Sequence, residues 1–125
     1  MAGSRNVQLL KLFAPILVVV GVLGFVTPAD LALTSGAPAY NVFHIVFGLI
    51  GIGCAFSNKL PAARAFNLGF GVIDLYQALA SFLSLWPQDL FAWKRADDVL
   101  HVVIGLLLVV VALVADRTPR SAVAV

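Results

Sequence analysis

Four long apolar stretches, at about residues 7–26, 41–57, 66–86 and 98–115, constrain this chain more than any other feature. Each is close to the ~20 residues with which an α-helix crosses a hydrocarbon core of roughly 30 Å. Inside lipid the backbone has no water to bond, so a spanning segment is helical unless it belongs to a closed barrel. Composition points the same way: 62% of the 125 residues are hydrophobic, only 11% are charged, and the mean hydropathy is +1.04. A soluble domain of this size cannot hide that much apolar surface. The expectation is a single transmembrane domain over residues 1–125, solvated by the lipid bilayer. The net charge of +2 is no nucleic-acid signal, because the basic residues sit at the ends of apolar runs. Cys54 is the one cysteine, deep in an apolar run, and reads as a small apolar filler.

Turn residues separate the stretches. Pro28, Ser35, Gly36 and Pro38 mark a first loop over 27–40, Asn58 to Arg64 a short basic turn, and 87–97 a second loop. Pro15 is expected to bend the first span. Charge alternates along these connections. Arg5, Lys11, Lys59, Arg64, Arg117 and Arg120 fall at one end, while Lys94 and Arg95 stand among Asp30, Asp89, Asp97 and Asp98 at the other. Positive-inside bias puts both termini in the cytoplasm. Tyr40, Trp86 and Trp93 then fall at the outer surface as interfacial anchors. A cleaved signal peptide is the competing reading of the first stretch, but the run is long for one and no small-x-small site follows directly. The tail beyond Asp116 reads as unstructured.

A twelve-residue pattern occurs twice, beginning at Asn41 and at Asp98. In each copy a capping-type residue is followed by His three positions on (His44, His101) and Gly four after that (Gly48, Gly105), 57 positions apart. Phe13/Phe70, Ile16/Ile73 and Phe25/Phe82 keep the same offset. Two helical hairpins in parallel orientation are expected, with a pseudo-twofold axis along the membrane normal. The fold class is an all-α, integral membrane four-helix bundle made of two hairpin repeats. Asn41 and Asp98 read as N-caps, with the histidines bonding back to them or to the opposing loop and so fixing the outer rim of the bundle. The sharper alternative uses His44 and His101 as axial ligands of a b-type haem, with Gly48 and Gly105 leaving room for the ring and Lys94 and Arg95 meeting propionates. No metal site is expected, because a closed zinc site wants four ligands.

Asp74 lies well inside the third span, where an ionisable group costs several kcal/mol unless it is buried in the bundle or paired. Gly71, Asp74, Ala78 and Ser81 share one helical face, and Tyr76 points away from it. The preferred role for Asp74 is a packing lock, protonated or paired with Lys11; the alternative is a proton or ion relay. Helical rise places Asp74 about 10–15 Å deeper than the histidines, which makes them separate sites.

The motifs N-x-x-H-x-x-x-G at Asn41, His44 and Gly48 and D-x-x-H-x-x-x-G at Asp98, His101 and Gly105 resemble those of a bacterial family of small four-span membrane proteins, a domain of unknown function. The likeness spans roughly residues 8–116. It implies an integral protein of the bacterial cytoplasmic membrane and no assigned reaction. The chain is therefore expected not to be an enzyme. It is expected to serve as a structural or accessory subunit, packing against itself or a larger membrane complex. The alternatives are a haem carrier and a small proton or solute conduit using Asp74.

Overall fold

A computed structural model describes residues 4–117; the rest of the tail expected to be unstructured, with Arg120, lies outside the described residues. Five helices follow in order: α1 (Arg5–Val26), α2 (Pro38–Phe56), α3 (Leu60–Leu83), α4 (Gln88–Phe91) and α5 (Arg95–Val114). Four of them are long and apolar enough to cross a membrane. Only 28–39% of each span is buried within the protein, so most of each apolar helix is left for lipid to cover. The chain is a multi-pass membrane protein.

The long helices pair as two hairpins, α1 with α2 and α3 with α5. Small residues let the backbones approach. A Cβ built on Gly48 of α2 would fall 2.6 Å from Val18 Cγ2 and 3.1 Å from the Ala14 carbonyl of α1. One built on Gly105 of α5 would fall 2.9 Å from Leu75 Cγ and 3.0 Å from the Gly71 carbonyl of α3. Gly71, Asp74 and Ala78 form the buried face of α3, and Tyr76 faces outward, donating to the Trp86 carbonyl at 2.7 Å. α1 runs on through Pro15 without a break.

The helix starts differ from the sequence expectation. Pro38 opens α2 three residues before Asn41, because a proline loses nothing at the first helical position. Asn41 is therefore inside the helix, buried against Gly24, and its Nδ2 donates to the Gly36 carbonyl at 2.8 Å. α5 begins at Arg95, and the carboxylate that takes the Lys94 backbone N–H, at 2.8 Å, is Asp97. Neither Asn41 nor Asp98 is a cap. Leu60 and Pro61 start α3 within the expected basic turn. Tyr40 and Trp93 are 2% and 6% exposed, so of the three expected anchors only Trp86, at 76%, lies on the surface.

The two ends of the bundle are tied differently. At the end where α1 starts and α5 finishes, called the terminal end, Asp116 caps α1 from across the chain. Its carboxylate accepts from the Arg5 and Asn6 backbone N–H groups at 2.9 and 2.8 Å and from Asn6 Nδ2 at 3.0 Å. Asn67 Nδ2 donates to Asn6 Oδ1, and Arg64 donates to the last carbonyls beyond α5, at Ala115 and Asp116. Partial desolvation pushes the Asp116 carboxyl up. The N–H donors of Asn6 and Arg5, the Asn6 amide and the Arg64 charge outweigh it and hold the group below the ordinary carboxylate range. A depressed folded value means that this stabilisation is complete above the unfolded pKa of about 3.9 and is lost as pH falls through the folded value. Asp116→Ala is expected to cost about 1 kcal/mol, the scale of a lost N-cap, and to flatten the acid limb of a thermal-unfolding series in detergent.

Candidate functional site

At the opposite end, polar side chains from three helices turn inward. His44 is 5% exposed, stacks on Tyr40 with ring centroids 4.1 Å apart, and places Nδ1 2.7 Å from the Tyr40 carbonyl. A carbonyl only accepts, so Nδ1 carries the proton and Nε2 keeps a free lone pair. His101 is equally buried, packs edge-on to Trp93 at 6.3 Å, and its Nδ1 has no partner among the described residues. The Tyr40 hydroxyl donates to Asp97 Oδ1 at 2.7 Å, joining α2 to α5. Asp97 is fully buried, and its second oxygen holds the Lys94 N–H. Trp93 Nε1 donates to Gln77 Oε1 at 3.2 Å, joining the second loop to α3.

These groups surround a cavity of about 80 Å³, which Tyr40, His44, Asp74 and His101 line together with apolar residues of α1 and α5. The cavity thus unites Asp74 with both histidines, which the sequence reading kept apart. Asp74 is 3% exposed and makes no hydrogen bond among the described residues. It is not paired with Lys11, whose ammonium lies over the Phe56 ring at 5.2 Å. Toward the terminal end Phe13, which lines the cavity, packs into a cluster of aromatic rings. Phe70 stands 5.8 Å from Phe13, 5.4 Å from Phe47 and 5.4 Å from Phe66. Toward the side it is screened by Ile16 and Leu100, at the seam between α1 and α5, which are 48% and 44% exposed.

The volume decides what the site can hold. A water occupies roughly 10–15 Å³ on this measure, so a few waters fit. A haem does not, since ligand pockets run to roughly 300–1,000 Å³. Gly48 and Gly105 leave no slot for a ring, because α1 and α3 already fill the space beside them. Lys94 Nζ is bonded to the Ala32 carbonyl at 3.0 Å, and Arg95 lies over the Phe82 ring at 5.7 Å. Among the described residues no group of three or more His, Cys, Asp or Glu is arranged to hold a metal ion.

Tyr40, Asp97 and Gln77 were missed as members of this site. A signal for the first pair was present: Tyr40 and Asp97 immediately precede the two motif starts at Asn41 and Asp98.

No curated protein and no solved structure matches the chain. A family profile does, over residues 8–114, and on that match this small multi-pass membrane protein belongs to the DUF4383 family, a domain of unknown function.

Proposed function

We propose that the protein is a proton-binding membrane module and not an enzyme, with Asp74 as the exchanging group and His44 and His101 as its neighbouring bases. One observation carries this reading: a buried carboxyl with no hydrogen bond among the described residues opens on a small, largely apolar cavity that both imidazoles share. Ionisable groups at membrane depth are costly and cluster at proton relays. The cavity exchanges protons with one face of the membrane only. The rings of Phe13, Phe47, Phe66 and Phe70 stand between it and the terminal end, which speaks against a through-going conduit.

The two hairpins are a duplicated unit, and the cavity lies near their pseudo-twofold axis. Contacts at the 57-residue offset support this. Gly48 meets Ala14 and Val18, while Gly105 meets Gly71 and Leu75, each 57 positions on. Tyr40 bonds Asp97, the residue at its own repeat position. Both termini face the cytoplasm of a bacterial cell, as the charge bias argues. The module serves as an accessory subunit of a larger membrane assembly or of its own oligomer. Gly53 and Gly69 favour this second role, because nothing lies within 4 Å of a Cβ at either, and small exposed residues let another helix approach.

Infrared difference spectra of the protein in membranes test the proton site. A protonated-carboxyl band that titrates with pH and vanishes in Asp74→Asn is expected, with no steady proton flux in proteoliposomes. A carboxyl band indifferent to that substitution would remove the reading. Sustained flux abolished by Asp74→Asn would replace it with a conduit.

A further inference from the structure

The core cavity has a neighbour. A second cavity, of about 250 Å³, lies under the first loop, walled by the end of α1 and by residues 31–34 and 36. Val20 and Thr34 line both cavities, so they form the partition between them. Thr34 also shares the wall of the core cavity with Tyr40, whose hydroxyl donates to Asp97. The loop is held over this space at three points: Lys94 Nζ to the Ala32 carbonyl, the Ser35 hydroxyl to the Phe91 carbonyl, and Asn41 Nδ2 to the Gly36 carbonyl.

We propose that the space under the first loop is the aqueous vestibule of the Asp74 site, and that Thr34 and Val20 form the constriction through which water and protons pass. This rests on the proton-binding reading and adds its route and its side. The groups facing Asp74 are consistent with a single entrance. α1 contributes only apolar side chains to the cavity wall; α2 contributes Tyr40 and His44; α5 contributes His101, with Asp97 behind Tyr40. The polar members of the wall therefore lead toward the loop. The competing route is lateral, through the seam between Ile16 and Leu100, and would draw on lipid-dissolved species instead of water.

The test uses Thr34→Cys in a Cys54→Ser background, in membranes. A bulky, membrane-impermeant maleimide is added from the loop side, and the Asp74 carboxyl band is followed after a pH jump. Labelling is expected to slow the response at least tenfold relative to the same variant unlabelled, whereas Leu90→Cys, at a 58% exposed site outside both cavities, responds at one rate before and after labelling. If Thr34→Cys does not fold, Leu31→Cys, on the same vestibule wall, takes its place with the same outcomes. A labelled constriction with an unchanged rate overturns the vestibule and leaves the lateral seam as the entrance. A thiol at Thr34 that never labels, while the carboxyl still responds at the parent rate, also overturns it. Absence of any titrating carboxyl in the unlabelled protein removes the proton site itself, and the vestibule with it.

Discussion

Replacing Gly48 by leucine is expected to unfold the α1–α2 hairpin, at a cost of ~3 kcal/mol, the upper part of the overpacking range. Alanine alone already collides. Its Cβ would sit 2.8 Å from the Val18 backbone nitrogen and 3.1 Å from the Ala14 carbonyl, and backbone inside a packed helix cannot swing aside as a side-chain tip can. The hairpin must open along its length, and lipid then competes for the freed faces. Gly105 gives the same result on the other hairpin, against Leu75 and the Gly71 carbonyl. Gly53→Ala and Gly69→Ala are the controls. Nothing lies within 4 Å of a Cβ at either, and both sit inside helices, so each is expected to stabilise by about 0.5–1 kcal/mol. Thermal or denaturant unfolding of these variants and of Gly48→Ala in one detergent separates the classes. If Gly48→Ala and Gly53→Ala shift stability alike, the packing described between α1 and α2 is wrong.

The second large effect is expected at Asp97. Asp97→Ala removes the acceptor of two donors at once, the buried Tyr40 hydroxyl and the part-buried Lys94 N–H. Hydrogen bonds to a charged group contribute about 1.5–3 kcal/mol each, and orphaned buried donors add their desolvation. A loss of ~3 kcal/mol is expected. Tyr40→Phe removes one of the two bonds and should cost about half as much. The paired variant should cost less than the sum, because both changes delete the same bond. A double-mutant cycle with zero coupling would show that Tyr40 and Asp97 do not meet. The two substitutions differ in a further way: Asp97→Ala releases the start of α5, whereas Tyr40→Phe leaves it intact.

Much of the architecture was legible in the residues. The four spans are a matter of hydropathy and length, and both survive any detail of packing. The inward face of α3 through Gly71, Asp74 and Ala78, with Tyr76 outside, followed from helical spacing alone. The helix ends were less legible, and the error propagated. α2 starts at Pro38 instead of Asn41 and α3 ends at Leu83 instead of Trp86. Each histidine therefore lies six residues inside its helix, and Asp74 lies nine residues from the end of its own. At ~1.5 Å per residue the depth gap shrinks to roughly 5 Å, which is how one cavity takes all three. The burial of Tyr40 and Trp93 was hidden for a different reason. An aromatic residue at a span end serves equally well as a lipid-interface anchor or as a buried donor. Only the partner decides, here Asp97 for Tyr40 and Gln77 for Trp93.

His44, His101 and Asp74 share one space, and nitrogen-15 NMR of the two imidazoles in membranes tests that most directly. His44 is expected to show a protonated, hydrogen-bonded Nδ1 and a bare Nε2, and Asp74→Asn is expected to move the resonances of both histidines. Imidazole signals that ignore the Asp74 substitution, with a His44 Nδ1 that carries no proton, would contradict it.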